Sequence, residues 1–552
     1  MPSIKNPVNS RRMPVTFSKI CPPCISPNRG VCCDSSMKTP ANLAKHCGVY
    51  SLSRKRYSAA MLFTVLVPLG LAQTPEVPQP DLQPPPPPPV DCADSLDQRP
   101  WQDLTAQIQQ THPQAVAQLE QWAFATPTPD AEENRQGVRT EGLLVIQGGA
   151  VLYERYARGY TADSPHLIWS GTKTFTNALT AIAVRDGLLS LDDSICTHID
   201  VSNPDNCVVT VGDLLAFGSG FSWRETYENE PPTTSSVVSM LYGDGTADMA
   251  AFVSGAARSA APGSQWQYSS GDTTLLAAVV GAALAPTYGR DFAWSSLFEP
   301  LGMDNVTWER DGAGTLIGSS YLYAPPRDLA RFGQLWLQDG CWNGQRILPT
   351  GWVGASTSVS APIQHTALDR GPSGTQGWQV WLNQPVYALG DREPPWDAPV
   401  DAYAAMGHWK QRIIVVPSHD LVIVRTGDDR DGTYTDSDLF RHVLPLVTAP
   451  DTLPSIPPPP PGPVIGTLGE SAPLKFDTGL LRIAANYGAK LACSCRYVME
   501  QSEAYCREWV RASPDIVRLS FDEDRRSVTA RALGVVRARA TWTGARDGCG
   551  LE

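Results

Sequence analysis

The chain has 552 residues, of which 42% are hydrophobic and 18% charged, enough apolar material for one large globular domain and a smaller one. Its formal net charge is -12, and because residues 1–60 hold ten Lys/Arg against the single acid Asp34, the remainder stands at -21. A nucleic-acid partner, held through its phosphate backbone, is therefore excluded.

The first predicted element is a leader. In "SRKRYSAAMLFTVLVPLGLAQTPEV" a basic cluster (Arg54, Lys55, Arg56) precedes an apolar run from Ala59 to Leu71 and small residues at Gly70 and Ala72. That is the pattern of a secretory signal peptide cut after Ala72, and the run is well short of the ~20 residues a membrane span needs. The expectation is export, periplasmic or extracellular, with no integral span after processing. Five of the thirteen cysteines fall in this leader, leaving Cys92, Cys196, Cys207, Cys341, Cys493, Cys495, Cys506 and Cys549. An even number in an exported chain predicts disulfides, with Cys196–Cys207 as the first pair and the last four pairing among themselves. A metal knuckle around "CSC" lacks a His or fourth Cys at zinc-like spacing.

Proline tracts at 73–91 and 451–474 act as stiff spacers and mark the organisation: leader 1–72, linker 73–91, body 92–450, linker 451–474, and a small Cys-containing module 475–552. A stiff spacer with few contacts crossing it predicts a tail separable from the body.

Within the body, "EGLLVIQGGAVLYERYARG" reads as a hairpin turning at Gly148-Gly149, and "QRIIVVPSHDLVIVRTG" as a second one turning at Pro417–Asp420. Strands at both ends around a helical middle predict an α+β body whose sheet joins its termini. Between them, Lys173 to Asp186 places Phe175, Leu179, Ile182 and Ala183 on one helical face, with Gly187 ending the helix.

Ser170 stands three residues before Lys173, at the start of that helix. Unpaired backbone N–H groups there can stabilise an oxyanion, and a buried, neutral lysine one turn along can accept the serine proton. Alone the S-x-x-K spacing is weak, since Ser35–Lys38 in the leader matches it equally well and a serine at a helix start is often only a cap.

"WSGTKTFTNALTAIAVRDGLLSLDD", "VTVGDLLAFGSGFSW" and "APGSQWQYSSGDTTLLAAVV" resemble, in order and spacing over nearly all of 140–450, the serine β-lactamase-related hydrolases: class C β-lactamases, their esterase relatives and nylon-oligomer hydrolases. The resemblance implies a β-lactamase/DD-peptidase-like fold, an antiparallel sheet flanked by helices with a helical subdomain. It implies Ser170 as nucleophile, Lys173 and Tyr268 as proton carriers, and Tyr227 as an additional substrate contact. It also aligns "AMGHWKQRIIVVP" with the strand beside the serine, making His408 and Gln411 candidate substrate contacts. Lys410 stands where relatives usually have glycine, and a side chain there would narrow the approach to the serine.

No G-x-S-x-G, H-E-x-x-H, P-loop or Rossmann pattern occurs. The expected protein is an exported serine hydrolase cleaving a small ester or amide through an acyl-enzyme, without cofactor or metal. A DD-peptidase or β-lactamase using the same site, and a non-catalytic binding protein on the same fold, are the alternatives.

Overall fold

The computed structural model describes residues 91–95, 101–125, 134–228, 230–365, 375–386, 393–452, 476–512 and 515–552, with 128, 131 and 391. The leader and both proline tracts lie outside these residues, apart from Asp91 and the edges of the second tract. Residues Gln79–Glu552 form one compact unit.

The main sheet has eight strands: β1 (Gln102–Asp103), β2 (Thr140–Gln147), β3 (Ala150–Tyr156), β4 (Thr375–Gln376), β5 (Trp381–Leu382), β6 (Tyr403–Gly407), β7 (Gln411–Val416) and β8 (Leu421–Gly427). Their spatial order is β1-β3-β2-β8-β7-β6-β5-β4. The two predicted hairpins are β2–β3 and β7–β8. They join antiparallel through β8 and β2, with Ile423 opposite Val145, so the sheet unites both ends of the body as expected.

Apolar residues run continuously along these central strands because both faces are covered. Leu144, Ile146, Ile413, Val415, Val422 and Val424 enter the core on one face. Leu143, Val145, Ile414, Val416, Leu421 and Ile423, their alternates, enter a second core on the other. Helices α1 (Thr105–Thr111), α2 (Pro113–Ala123) and α6 (Asp436–Val443) contribute Ile108, Val116, Leu119, Leu439 and Phe440 to the second core. The first core holds α3 (Thr172–Arg185), α4 (Ser270–Tyr288) and α5 (Pro326–Leu337). The predicted helix is thus α3, and α4 belongs to the helical middle.

The tail contains α7 (Leu480–Tyr497) and α8 (Glu503–Trp509) with a four-stranded antiparallel sheet in sequence order: β9 (Val517–Asp522), β10 (Ser527–Ala532), β11 (Val536–Gly544) and β12 (Gly548–Leu551). Helix α7 lies so close to this sheet that a Cβ at Gly488 would sit 2.9 Å from Val517 Cγ1. Disulfides link Cys493–Cys549 and Cys495–Cys506 within the tail, Cys196–Cys207 in the helical middle, and Cys92–Cys341 across the body.

The tail packs against the body through buried polar contacts. Buried Glu309 of the body pairs with Lys490 Nζ at 2.8 Å, and its other oxygen accepts from Ser494 Oγ at 2.7 Å and from the Cys549 N–H at 2.8 Å. Tyr505 donates to Glu141, which also binds His166 at 2.7 Å. Core residues of both parts, including Trp169, Trp409, Trp509 and Ile483, belong to one cluster.

Removing one partner of a buried ion pair strands the other's charge. Lys490→Met is therefore expected to lower stability by ~3–5 kcal/mol in urea unfolding, with much of the loss recovered on adding Glu309→Gln. A loss below ~1 kcal/mol would show that this pair does not anchor the tail.

Candidate active site

Ser170 lies in a 3-10 turn, Trp169–Gly171, that leads into α3. Trp169 just before it has φ +48, a region bulky residues rarely occupy, so the chain arrives at Ser170 through a strained turn held by its surroundings. Gly407 at the end of β6 makes that turn possible: a Cβ there would lie 2.0 Å from the Ile168 carbonyl oxygen. The N-cap of α3 is Gly171, with no side-chain cap, so Ser170 does not serve as the helix cap. Ser170 is half-buried, while Lys173 is only 2% exposed.

The Lys173 amine meets Ser170 Oγ at 3.1 Å, Ser270 Oγ at 3.0 Å and the Ser319 carbonyl at 3.1 Å. These partners determine where its lone pair points when it is neutral. The Ser319 carbonyl can only accept. Ser270 donates its own proton to Glu225 Oε1 at 2.6 Å, so it too must accept from the amine. Two N–H bonds are thereby used, and the lone pair faces Ser170. Burial lowers the amine to about 8, with the Glu225 carboxylate opposing the shift.

Glu225 is the residue that the sequence reading missed, although "SGFSWRETY" contains it. It accepts from Ser270 Oγ, the Ser270 N–H at 2.9 Å, Trp223 Nε1 at 2.5 Å and the Tyr227 hydroxyl at 2.6 Å. Ser270, next to the quoted Tyr268-Ser269, was missed for the same reason: its role depends on Glu225, 45 residues away.

Tyr268 stands beside the Ser170–Lys173 pair, with the Lys173 amine 4.9 Å from the centre of its ring. Burial, reinforced by Glu225, raises the phenol well above its ordinary value, so it stays protonated. Ser170, Lys173 and Tyr268 therefore come together as expected.

Tyr227 and His408 stack at 5.2 Å between ring centres, and His408 sits edge-on to Trp169 at 5.7 Å with Nε2 2.9 Å from Glu228. They border the serine from two elements distant in sequence. Gln411 does not join them. It is 2% exposed; its amide donates to the Gly427 carbonyl at 2.6 Å and accepts from the Gly427 N–H at 3.0 Å, fastening β7 to β8. Lys410 adopts φ +71, a backbone setting that favours glycine, and burial, with the Arg412 charge next, lowers its amine's affinity for a proton. Among the described residues no cluster of His, Cys, Asp or Glu could hold a metal ion.

Residues 95–439 match the sequence profile of the Beta-lactamase family, and the chain belongs to that family. A 6-aminohexanoate-dimer hydrolase of Paenarthrobacter ureafaciens is 23% identical over 288 residues, covering 47% of this chain and 68% of that protein. An uncharacterised protein of Alkalihalophilus pseudofirmus is 22% identical over 313 residues, covering 51% and 82%. Among solved structures, a Streptomyces D-stereospecific amidohydrolase is similar at 16% identity and a TM-score of 0.41, covering 57% of this chain and 99% of that one.

The geometry predicts a pH dependence. If neutral Lys173 takes the serine proton, kcat/KM rises with pH through a midpoint near 8. Glu225→Gln removes the charge that favours the protonated amine, so this limb moves to lower pH, which ester hydrolysis measured across pH 5–10 reads directly. An unmoved limb would remove Glu225 from the titration.

Proposed function

We propose that the chain hydrolyses small amides or esters through an acyl-enzyme on Ser170. The observation that carries this reading is the lone pair of a buried amine directed at the hydroxyl of half-buried Ser170. Attack of Ser170 Oγ on the substrate carbonyl passes its proton to Lys173. The Ser170 N–H, at the positive end of α3, and the N–H groups of the His408–Trp409 turn are the donors available to the resulting oxyanion. Tyr268, protonated and beside Lys173, delivers a proton to the leaving nitrogen or oxygen as the tetrahedral intermediate collapses. Water then attacks the acyl-enzyme, its proton passing to the Lys173–Tyr268 pair, which returns one proton to Ser170 Oγ as the acyl–oxygen bond breaks.

Membership of the Beta-lactamase family supports hydrolysis. The name of the Paenarthrobacter relative makes the linear 6-aminohexanoate dimer the first amide to try. A β-lactam or peptidoglycan-peptide substrate would use the same serine. A purely binding role would not require the amine to be freed for Ser170.

Ser170→Ala is expected to abolish turnover of p-nitrophenyl esters, the 6-aminohexanoate dimer and nitrocefin, whichever the wild type accepts, while leaving the unfolding midpoint near wild type because the hydroxyl caps no helix. Lys173→Ala and Tyr268→Phe each lower kcat by several orders of magnitude, and adding Ser170→Ala to either costs little more, since the three act as a unit. A serine-reactive phosphonate labels the wild type once, at Ser170. Substantial activity in Ser170→Ala, or label on Ser219 or Ser269, overturns the assignment.

We also propose that the protein is exported. The leader motif and four disulfides support this. N-terminal sequencing of secreted protein is expected to begin at or near Gln73; a mature chain that retains Arg54–Leu71 contradicts it.

A further inference from the structure

The tail sheet covers one face with α7 and presents the other to solvent. On that outer face Arg518 stands opposite Arg531, and Arg531 opposite Arg537, in one cross-strand row over three strands. Neighbouring strands are only ~4.8 Å apart, and like charges directly opposite each other destabilise a sheet. Arg518 has Asp515 at 3.2 Å, but Arg531 and Arg537 have no acidic partner among the described residues. The row is thus a local electrostatic cost that an anion would relieve.

An independent feature marks the same end of the tail. The β10–β11 turn exposes Leu533 to 62% and Val535 to 77%, and the start of α7 exposes Leu480 to 48%. Arg482 Nη1 donates to the Arg537 carbonyl at 3.3 Å, which brings the start of α7 beside this turn. Three of the four large apolar side chains exposed among the described residues therefore gather with four arginines. Of the acids near the tail sheet, Asp522, Glu523 and Asp524 lie at the opposite end of β9, whereas Asp515 pairs with Arg518 and Glu552 lies beside Arg539 and Thr541.

Charge complementarity sets the direction of approach. Residues 73–474 hold 21 Lys/Arg against 45 Asp/Glu, whereas residues 475–552 hold 13 against 10. A negatively charged surface repels the body and attracts this end. Arginines ringing exposed aliphatics at a turn match a lipid interface, where guanidinium groups pair with phosphates and apolar tips enter between headgroups.

We propose that this end of the tail docks the protein on an anionic phospholipid surface, with Leu533 and Val535 entering the headgroup layer and Arg518, Arg531 and Arg537 pairing with lipid phosphates. The docking is peripheral, since among the described residues no helix is long and apolar enough to cross a membrane. It is independent of the hydrolytic reading, because none of these side chains contacts Ser170, Lys173, Tyr268 or Glu225.

The test is cosedimentation of the chain beginning at Gln73, which retains the whole compact unit, with vesicles. Binding is expected to phosphatidylcholine vesicles containing about 30% phosphatidylglycerol, weakening as salt rises, with little binding to phosphatidylcholine alone. Arg531→Glu with Arg537→Glu is expected to lower partitioning at least about tenfold, and Leu533→Ser with Val535→Ser to weaken it at low salt, with hydrolysis and melting temperature unchanged. If charge reversal unfolds the chain, Arg531→Gln with Arg537→Gln gives the same readout while relieving the row. Equal binding to both vesicle types, no binding to either, or variants that sediment like wild type overturn the proposal. So does a concentration-dependent dimer dispersed by Val535→Asp, which would make a second copy the occupant.

Discussion

The structure around Ser170 is organised by one constraint: a lysine amine must be held almost dry beside a hydroxyl that substrate can reach. Burial favours the neutral form of an amine and leaves its N–H groups in need of acceptors. Acceptors come from two further parts of the chain, Ser270 at the start of α4 and the Ser319 carbonyl, while α3 supplies both Lys173 and the turn bearing Ser170. Glu225 then fixes which way Ser270 donates. The lone pair is aimed by the partners of partners, so the three helical-middle segments must be correctly packed before the amine can act on the serine.

The other side of the serine turn depends on the tail. Trp169, Trp409 and Trp509 form an aromatic cluster, with ring centres 5.3 Å apart for Trp169–Trp409 and 5.7 Å for Trp409–Trp509. Arg430 lies 3.6 Å from the Trp409 ring centre and donates to the Trp509 carbonyl at 2.9 Å. Because Trp169 and Trp409 both take positive φ, the turns that carry Ser170 and flank it with His408 are backbone arrangements that packing must maintain. Trp509, at the end of α8 and tied in by Cys495–Cys506, is part of that packing. The tail therefore buttresses the turns that shape the site.

What the sequence made legible was local. The two hairpins, α3 and the Ser170–Lys173 juxtaposition all follow from periodicities of two or 3.6 residues and from one helical turn. Tyr268 required the family resemblance, since nothing local distinguishes it from Tyr227. Glu225 and Ser319 were hidden because loops bring them to Lys173, and loop geometry has no periodic code. Gln411 looked like a substrate contact by position along the strand, but its side chain is drawn to Gly427 across the sheet. How closely the tail packs on the body was not legible from the proline tract, because proline composition describes a connection, not what lies beyond it. A better signal stood in α7 itself: from Gly488 to Cys495 only Lys490 is charged, and all eight of these consecutive residues are buried, which suits a helix wedged between its own sheet and another body.

Two buried lysines show how the same residue is put to different uses. Lys490 faces the Glu309 carboxylate directly at 2.8 Å, and the pair serves as an anchor between tail and body. Lys173 also has a carboxylate nearby, but Ser270 stands between them: the amine meets the serine oxygen, and the serine proton meets Glu225. The interposed hydroxyl keeps enough negative potential to limit the fall in the amine's affinity for a proton, without the direct contact that would lock the proton in place. An amine near 8 can hold or release a proton close to neutrality, the property required of a group that takes a proton from Ser170 and gives it back. Moving one carboxylate a single hydroxyl away thus separates a structural ammonium from a proton carrier.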